Sequence, residues 1–151
     1  MKTLLQRIKT ALQDNATLAS YIKGIQIVAP NTLPDLSSSL VPWLGVAPVS
    51  SSEIWKSNAQ KEVTHLVDIY VVQYLQIQET SILGSGSDRG LLDVLNDTET
   101  VVRGNYFSVA GDYLSKPADV IRVSYTTAGY GDNIFLIVST ISLSCARIFS
   151  A

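Results

Sequence analysis

The sequence predicts an α+β fold: a mainly antiparallel sheet of about four strands with two helices packed on one face. Three observations predict it. Residues 2–13 and 88–102 carry apolar side chains at helical spacing. Residues 62–77 alternate polar and apolar side chains, the mark of a half-buried strand. The elements follow one another as helices, strands, helix, strands with hairpin-like neighbours, which is α+β order and not strand–helix alternation.

Residues 2–13 form the first helix. Leu4, Leu5, Ile8, Ala11 and Leu12 share one face, while Lys2, Gln6, Lys9 and Gln13 sit largely off it. Asp14 and Asn15 break or cap it. A second short turn over 16–23 carries Leu18, Tyr21 and Ile22, with Gly24 as its C-cap. Residues 25–28 make a short strand. The next stretch, 29–60, changes character. It holds Pro30, Pro34, Pro42 and Pro48, with serine runs at 37–39 and 50–52. Between the runs, residues 41–49 form a strand whose prolines confine it to an edge or an end. Residues 50–60 read as an open loop carrying Trp55.

Residues 62–77 are the clearest strand. Val63, Val67, Ile69, Val71, Leu75 and Ile77 share one face; Thr64, Asp68, Tyr70, Tyr74 and Gln76 share the other. Residues 78–87 read as a polar, Gly/Ser-rich turn. Ser87 or Asp88 then caps a helix running to about Val102, with Leu91, Leu92, Val94, Leu95, Thr98, Val101 and Val102 as its core stripe. Glu99 and Arg103 stand on it in the favourable i, i+4 order. Gly104 or Asn105 ends it. A strand-like piece at 106–110 and a turn at Gly111–Asp112 lead to two long strands, 119–126 and 134–149, joined by a hairpin loop over 127–133. In the last strand Ile137, Ile141, Leu143 and Cys145 point one way and Thr140, Ser142 and Ser144 the other. No internal repeat occurs, and residues 1–151 read as one domain.

The chain is 46% hydrophobic and only 16% charged, against a usual ~25% charged. So thin a charged cover implies that part of the surface is buried against partners. The net charge is −2 and dispersed. A sequence-independent grip on exposed nucleic acid needs several phosphate-neutralising cations, and no Lys/Arg run supplies them. Cys145 is the single cysteine, so no intrachain disulfide forms, which fits a reducing compartment. The opening Met-Lys-Thr-Leu-Leu faintly resembles an export signal, but Gln6, Arg7 and Lys9 interrupt it at once. The apolar run 134–148 is shorter than the ~20 residues of a spanning helix and carries four hydroxyl side chains, so no membrane partner is expected.

No residue set builds a catalytic site. His65, the single histidine, lies within a strand on its apolar face, with Asp68 on the other face; it reads as a histidine near a strand end with one hydrogen bond. Cys145 sits mid-strand among apolar neighbours, where cysteine behaves as a small hydrophobe. There is no Gly-x-Ser-x-Gly elbow, no phosphate loop and no metal-ligand spacing, so no catalytic residue, cofactor or metal is expected. Asp93 and Asp97 form an i, i+4 pair that reads as a solvated helix face. The strongest competitor is Gly84-Ser85-Gly86-Ser87-Asp88-Arg89-Gly90. It follows a strand, opens a helix and has Asp112 where a ribose-binding acid belongs, as in a dinucleotide site. Against it stand a glycine spacing one residue too long, an alternating preceding strand, and Asp88 beside the would-be pyrophosphate. Tyr70 and Tyr74 either anchor an interface or pack under a helix or over the sheet.

The layout resembles that of tail terminator and related neck proteins at the head–tail junction of long-tailed bacteriophages. An N-terminal amphipathic helix (Leu4 to Leu12, then Leu18-Ala19-Ser20-Tyr21-Ile22) leads through Leu33-Pro34 and Val41-Pro42-Trp43-Leu44-Gly45-Val46 into a long strand, Val63 to Leu75. A connector, Gly84 to Gly90, enters the helix at Leu91-Leu92-Asp93-Val94-Leu95, which ends in Gly104-Asn105 before two closing strands. The resemblance covers nearly the whole chain, and its motifs are structural. It implies a non-catalytic virion subunit that forms a ring, usually six-fold, with copies of itself. That ring caps the tail tube protein, stops its growth and docks to the head connector, while phage DNA passes transiently through the lumen. Its location would be the virion's head–tail junction, reached from the host cytoplasm during assembly. A neck or head–tail joining adaptor is the alternative role, and a module of a contractile injection system a third. Subunit or tube contacts are expected from residues 50–60, with Trp55, and from 78–90, with Ser85, Gly86 and Arg89, because long loops are natural docking elements.

Overall fold

The computed structural model describes residues 1–75, 78–86, 88–108, 113–130 and 134–150. Five strands form a mixed sheet, and the α+β expectation holds. The chain opens with α1 (Lys2–Asp14) and a single turn, α2 (Ala16–Ala19). Leu4, Leu5, Ile8 and Leu12 are buried along one stripe of α1, as the spacing requires. Asn15 separates the helices and caps the second, its side chain accepting the Leu18 N–H at 3.0 Å.

The strands are β1 (Gly24–Ile27), β2 (Trp43–Ser57), β3 (Gln60–Tyr74), β4 (Asp119–Tyr130) and β5 (Ile134–Ser150). They lie in the order β1-β2-β3-β5-β4. Gly24 is the first residue of β1, not the cap of α2, which ends at Ser20. β1 is also the one parallel element, pairing Gly24–Ile27 with Trp43–Val46. The sheet therefore has one strand more than the sequence reading and is antiparallel elsewhere.

Two further helices are α3 (Gln78–Leu83) and α4 (Leu91–Val102). The polar turn expected over 78–87 is thus half helix. The α4 stripe buries Leu91, Val94, Leu95, Thr98 and Val102, while Leu92 stays exposed. Its N-cap is Gly90, not Ser87 or Asp88, and the Asp93 carboxylate accepts the Gly90 N–H at 3.0 Å. Residues 105–108 form no strand, and the turn at Gly111–Asp112 lies outside the described residues.

The helices pack on one face of the sheet. Their stripes meet Val67, Ile69 and Val71 of β3 and Ile137, Ile141, Leu143 and Cys145 of β5 in the main core. The half-buried pattern of residues 62–77 accounts for one covered face, and residues 28–42 lie across part of the other. Leu36 and Val41 from this strap close a second core on Trp43, Ala47, Tyr70, Val72, Leu136 and Val138. The alternation of β3 is lost there, because Tyr70 and Val72 are buried from the far side while Val71 is buried under the helices. Trp43 lies flat over its neighbour two residues on: a Cβ on Gly45 would stand 2.8 Å from the indole. Only glycine lets the ring settle onto the strand.

Candidate functional site

Below the strap, β2, β3 and β5 continue together as a three-stranded arm. β2 turns tightly into β3 at Ser57–Gln60, and β3 pairs with β5 down to Gln60 and Ser150. The open loop expected over 50–60 is therefore regular β-structure. A bulge between Pro48 and Ser50 absorbs the proline, which falls beyond the end of β1 where no ladder donor is needed. Every residue from Val49 to Ser57 is exposed. Trp55 is 64% exposed, with the Lys61 ammonium 5.9 Å from its ring centroid. Ile54 projects from the opposite face, beside Glu62.

Acidic and basic side chains tie the arm together. Glu62 accepts from Lys116 Nζ at 3.1 Å and has Lys56 Nζ at 3.6 Å. The Lys116 hydrogen bond holds its carboxyl below the usual carboxylate range. His65 pairs across the arm with Ser51 on β2 and Cys145 on β5, and its Nδ1 shares a 2.6 Å hydrogen bond with Ser51 Oγ. Burial lowers the His65 pKa, and the N-terminal amine and Arg147 lower it further. Burial alone pushes the Cys145 thiol up to about 12, which keeps it protonated and unreactive. Asp68 turns to the other face and accepts from Ser142 Oγ at 2.7 Å. Ser51 and His65 thus meet as a hydroxyl–imidazole pair, and Asp68, on the other face with Ser142, stands apart from it. Among the described residues no cluster of three or more potential metal ligands occurs. No helix among them is long and apolar enough to cross a membrane.

The glycine segment has a different context from the one a dinucleotide site requires. It follows α3, a helix, where the fingerprint needs a strand. Ser85 and Asp88 exchange backbone hydrogen bonds at 3.0 and 2.8 Å, with Gly84 and Gly86 at positive φ. A Cβ on Gly90 would lie 2.2 Å from Gly84 N, so these backbones touch and leave no cradle between them. The first free N–H of α4 is taken by Asp93. Asp112, the would-be ribose acid, lies outside the described residues.

Asp97 is not a solvated helix-face carboxylate. It accepts from Tyr21 Oη at 2.7 Å and Arg89 Nη1 at 2.9 Å, and the Arg89 guanidinium lies 5.0 Å from the Tyr21 ring centroid. Burial, then the Asp97 hydrogen bond, raise the Tyr21 pKa. Gln73 adds a hydrogen bond to the Arg89 carbonyl at 2.8 Å. This clasp fastens the 84–90 connector to α2, α4 and the end of β3.

The residues expected at interfaces therefore separate. Trp55, Ser85 and Gly86 are exposed. Arg89 is exposed but already spent in the clasp. Tyr70 is corrected: it is 5% exposed, and its hydroxyl accepts the Asn31 N–H at 2.8 Å under the strap. Tyr74 packs against the second core. Sequence reading missed Ile121 and Tyr125 on β4, both more than half exposed. The signal was present: Val123 to Tyr130 contains no charge and no proline although β4 is a sheet edge. Compared with known proteins, the chain matches no protein-family model and no curated sequence.

Proposed function

We propose that the chain is a non-catalytic structural subunit of a tailed bacteriophage, a tail terminator that forms a ring with its own copies, caps the tail tube and docks to the head connector. The observation that carries the reading is the distribution of side chains. His65, Cys145, Asp93 and Asp97 are consumed by the chain's own packing and hydrogen bonds. Most of the exposed large apolar residues lie instead on the strands, among them Val49, Ile54, Trp55, Ile121, Tyr125 and Phe149, while Leu40, Leu83, Leu92 and Tyr106 lie elsewhere. Such a surface is built to contact protein. The element order, from amphipathic helix to two closing strands, supports the phage-junction reading by the resemblance described above.

The test is to silence the gene in the virus that encodes it and image the lysate by negative stain. Overlong, headless tubes beside filled heads are the expected result. Tails of normal length that fail to join heads would move the protein to the neck or joining step. Normal infectious particles would overturn the phage-junction reading.

A further inference from the structure

The sheet has two open edges. At one, β1 covers β2 only from Trp43 to Val46, and among the described residues no backbone pairs with that side of β2 from Val49 onward. At the other, β4 is the last strand. Backbone bonds from Gly104 and Asn105 close the β4 edge at Ala118 and reach no further.

Proteins blunt exposed edges with charge, proline or bulges. β4 is blunted only at its start, by Asp119, Arg122 and a bulge between Val120 and Arg122. From Val123 to Tyr130 its register is regular and uncharged. On β2, bulges between Pro48 and Ser50 and between Trp55 and Ser57 bracket another regular stretch. β2 runs antiparallel to β3, β3 to β5 and β5 to β4, so β4 runs opposite to β2. A second copy set alongside in the same orientation thus presents its β4 antiparallel to β2. The helices of both copies then lie on one side.

We propose that the β2 edge from Ser50 to Trp55 pairs antiparallel with the β4 edge from Tyr125 to Tyr130 of a second copy, joining the two sheets head to tail. Trp55 then lies opposite Tyr125. Both project toward the helix side, Trp55 in the row of Lys61 and Tyr125 in the row of buried Ser139. They are 64% and 57% exposed in the single chain, and an aromatic cross-strand pair covers both. Ser51 meets Gly129 and Ser52 meets Ala128, so small side chains face small ones. Glu53, the one charge in the β2 stretch, is already paired with Lys61 and comes opposite Thr127, so no like charges meet. Each copy keeps one edge of each kind, so the contact propagates until a ring closes. The inference deepens the ring reading and rests on it for the partner's being another copy.

Directly opposed residues of an antiparallel pair have Cα atoms ~4.5–5.5 Å apart, within disulfide reach. The test therefore combines Ser52→Cys and Ala128→Cys in one chain. Cys145 is buried and stays out of the reaction. Concentrated protein is oxidised mildly and run on a non-reducing gel, with sedimentation of the unmodified protein beside it. A ladder of linked oligomers from the double variant, with monomers from each single variant, is expected. Dimers from either single variant would overturn the head-to-tail pairing. A discrete oligomer by sedimentation without a ladder would overturn the edge pairing and leave the ring reading standing. Monomers throughout would also overturn the edge pairing, and the ring reading would then rest on the gene-silencing images alone.

Discussion

The Tyr70 hydroxyl accepts the backbone N–H of Asn31 at 2.8 Å, so a central-strand side chain holds the strap that crosses it. Asn31 has a positive φ of 54°, which turns the strap at that point. Tyr70→Phe removes the acceptor and keeps the ring. The expected cost is about 0.5–1.5 kcal/mol in urea unfolding. Tyr70→Ala also opens the second core and should cost about 3–5 kcal/mol, in line with other buried aromatic truncations. Equal costs for the two variants would mean that the hydroxyl, not the ring, holds the strap; no cost for Tyr70→Phe would mean the reverse.

Acid should weaken the arm through His65. Its folded-state pKa is lowered, chiefly by burial, so the unfolded chain binds the proton more readily. Stability from this group is therefore present above the ordinary histidine range and declines as pH falls through it. His65→Asn keeps a hydrogen-bonding atom near the Nδ1 position. Melting temperature followed by circular dichroism from neutral to mildly acidic pH should fall for the natural protein and stay flatter for the variant. Parallel curves would remove His65 from the account.

Asp97→Asn should loosen the clasp and bring Tyr21 back toward its ordinary pKa. Burial, the Asp97 hydrogen bond and the Asp97 charge raise that pKa together. Because it is raised, the stability it carries is present below the unfolded value and is lost in alkali. Tyrosinate absorbance on alkaline titration checks this: one tyrosine should ionise earlier in the variant. The stability cost should be about 1–3 kcal/mol, typical of a hydrogen bond to a charged group.

Titration with a dinucleotide in a calorimeter should give no saturable heat. Asp93 already takes the Gly90 N–H, one of those open at the α4 N-terminus, and its carboxylate would stand beside a bound pyrophosphate. Saturable heat that vanishes in a Gly86→Ala variant would restore the nucleotide reading.

Trp55→Ala should change stability by about 0.5 kcal/mol or less, because the side chain is largely solvated. Its effect belongs to association, and sedimentation at high protein concentration should show it. A large loss of stability with association unchanged would place Trp55 in the fold instead of at a contact.

Elements with strong periodicity were legible in the sequence. The stripe of α1, the stripe of α4 and the alternation of β3 and β5 each identified the face that enters the main core, although the ends of β3 and β5 under the strap are buried on the other face too. The outer half of β2 was not legible. Ser50, Ser51, Ser52, Glu53 and Lys56 favour turns or water, and their strand state comes from pairing with β3, which has its own strong pattern. The burial of Tyr70 was equally hidden, since its cover arrives from residues 28–42 and no local period records that. The clasp joins Tyr21 to Asp97 across 76 residues, and local spacing shows only the Asp93–Asp97 pair.

The strap divides the protein's interior into two compartments that need not melt together. The second core draws on the strap and on sheet residues facing away from the helices, while the first holds α1 and α4 against the opposite face. Undocking residues 28–42 would bare Val72, Leu136 and Val138 and leave the helix layer seated. Hydrogen exchange should therefore resolve two opening energies, with amides of β1 and the strap exchanging well before those in the centres of β3 and β5. A single opening energy for every slow amide would show that the strap is fused into the global unfolding unit.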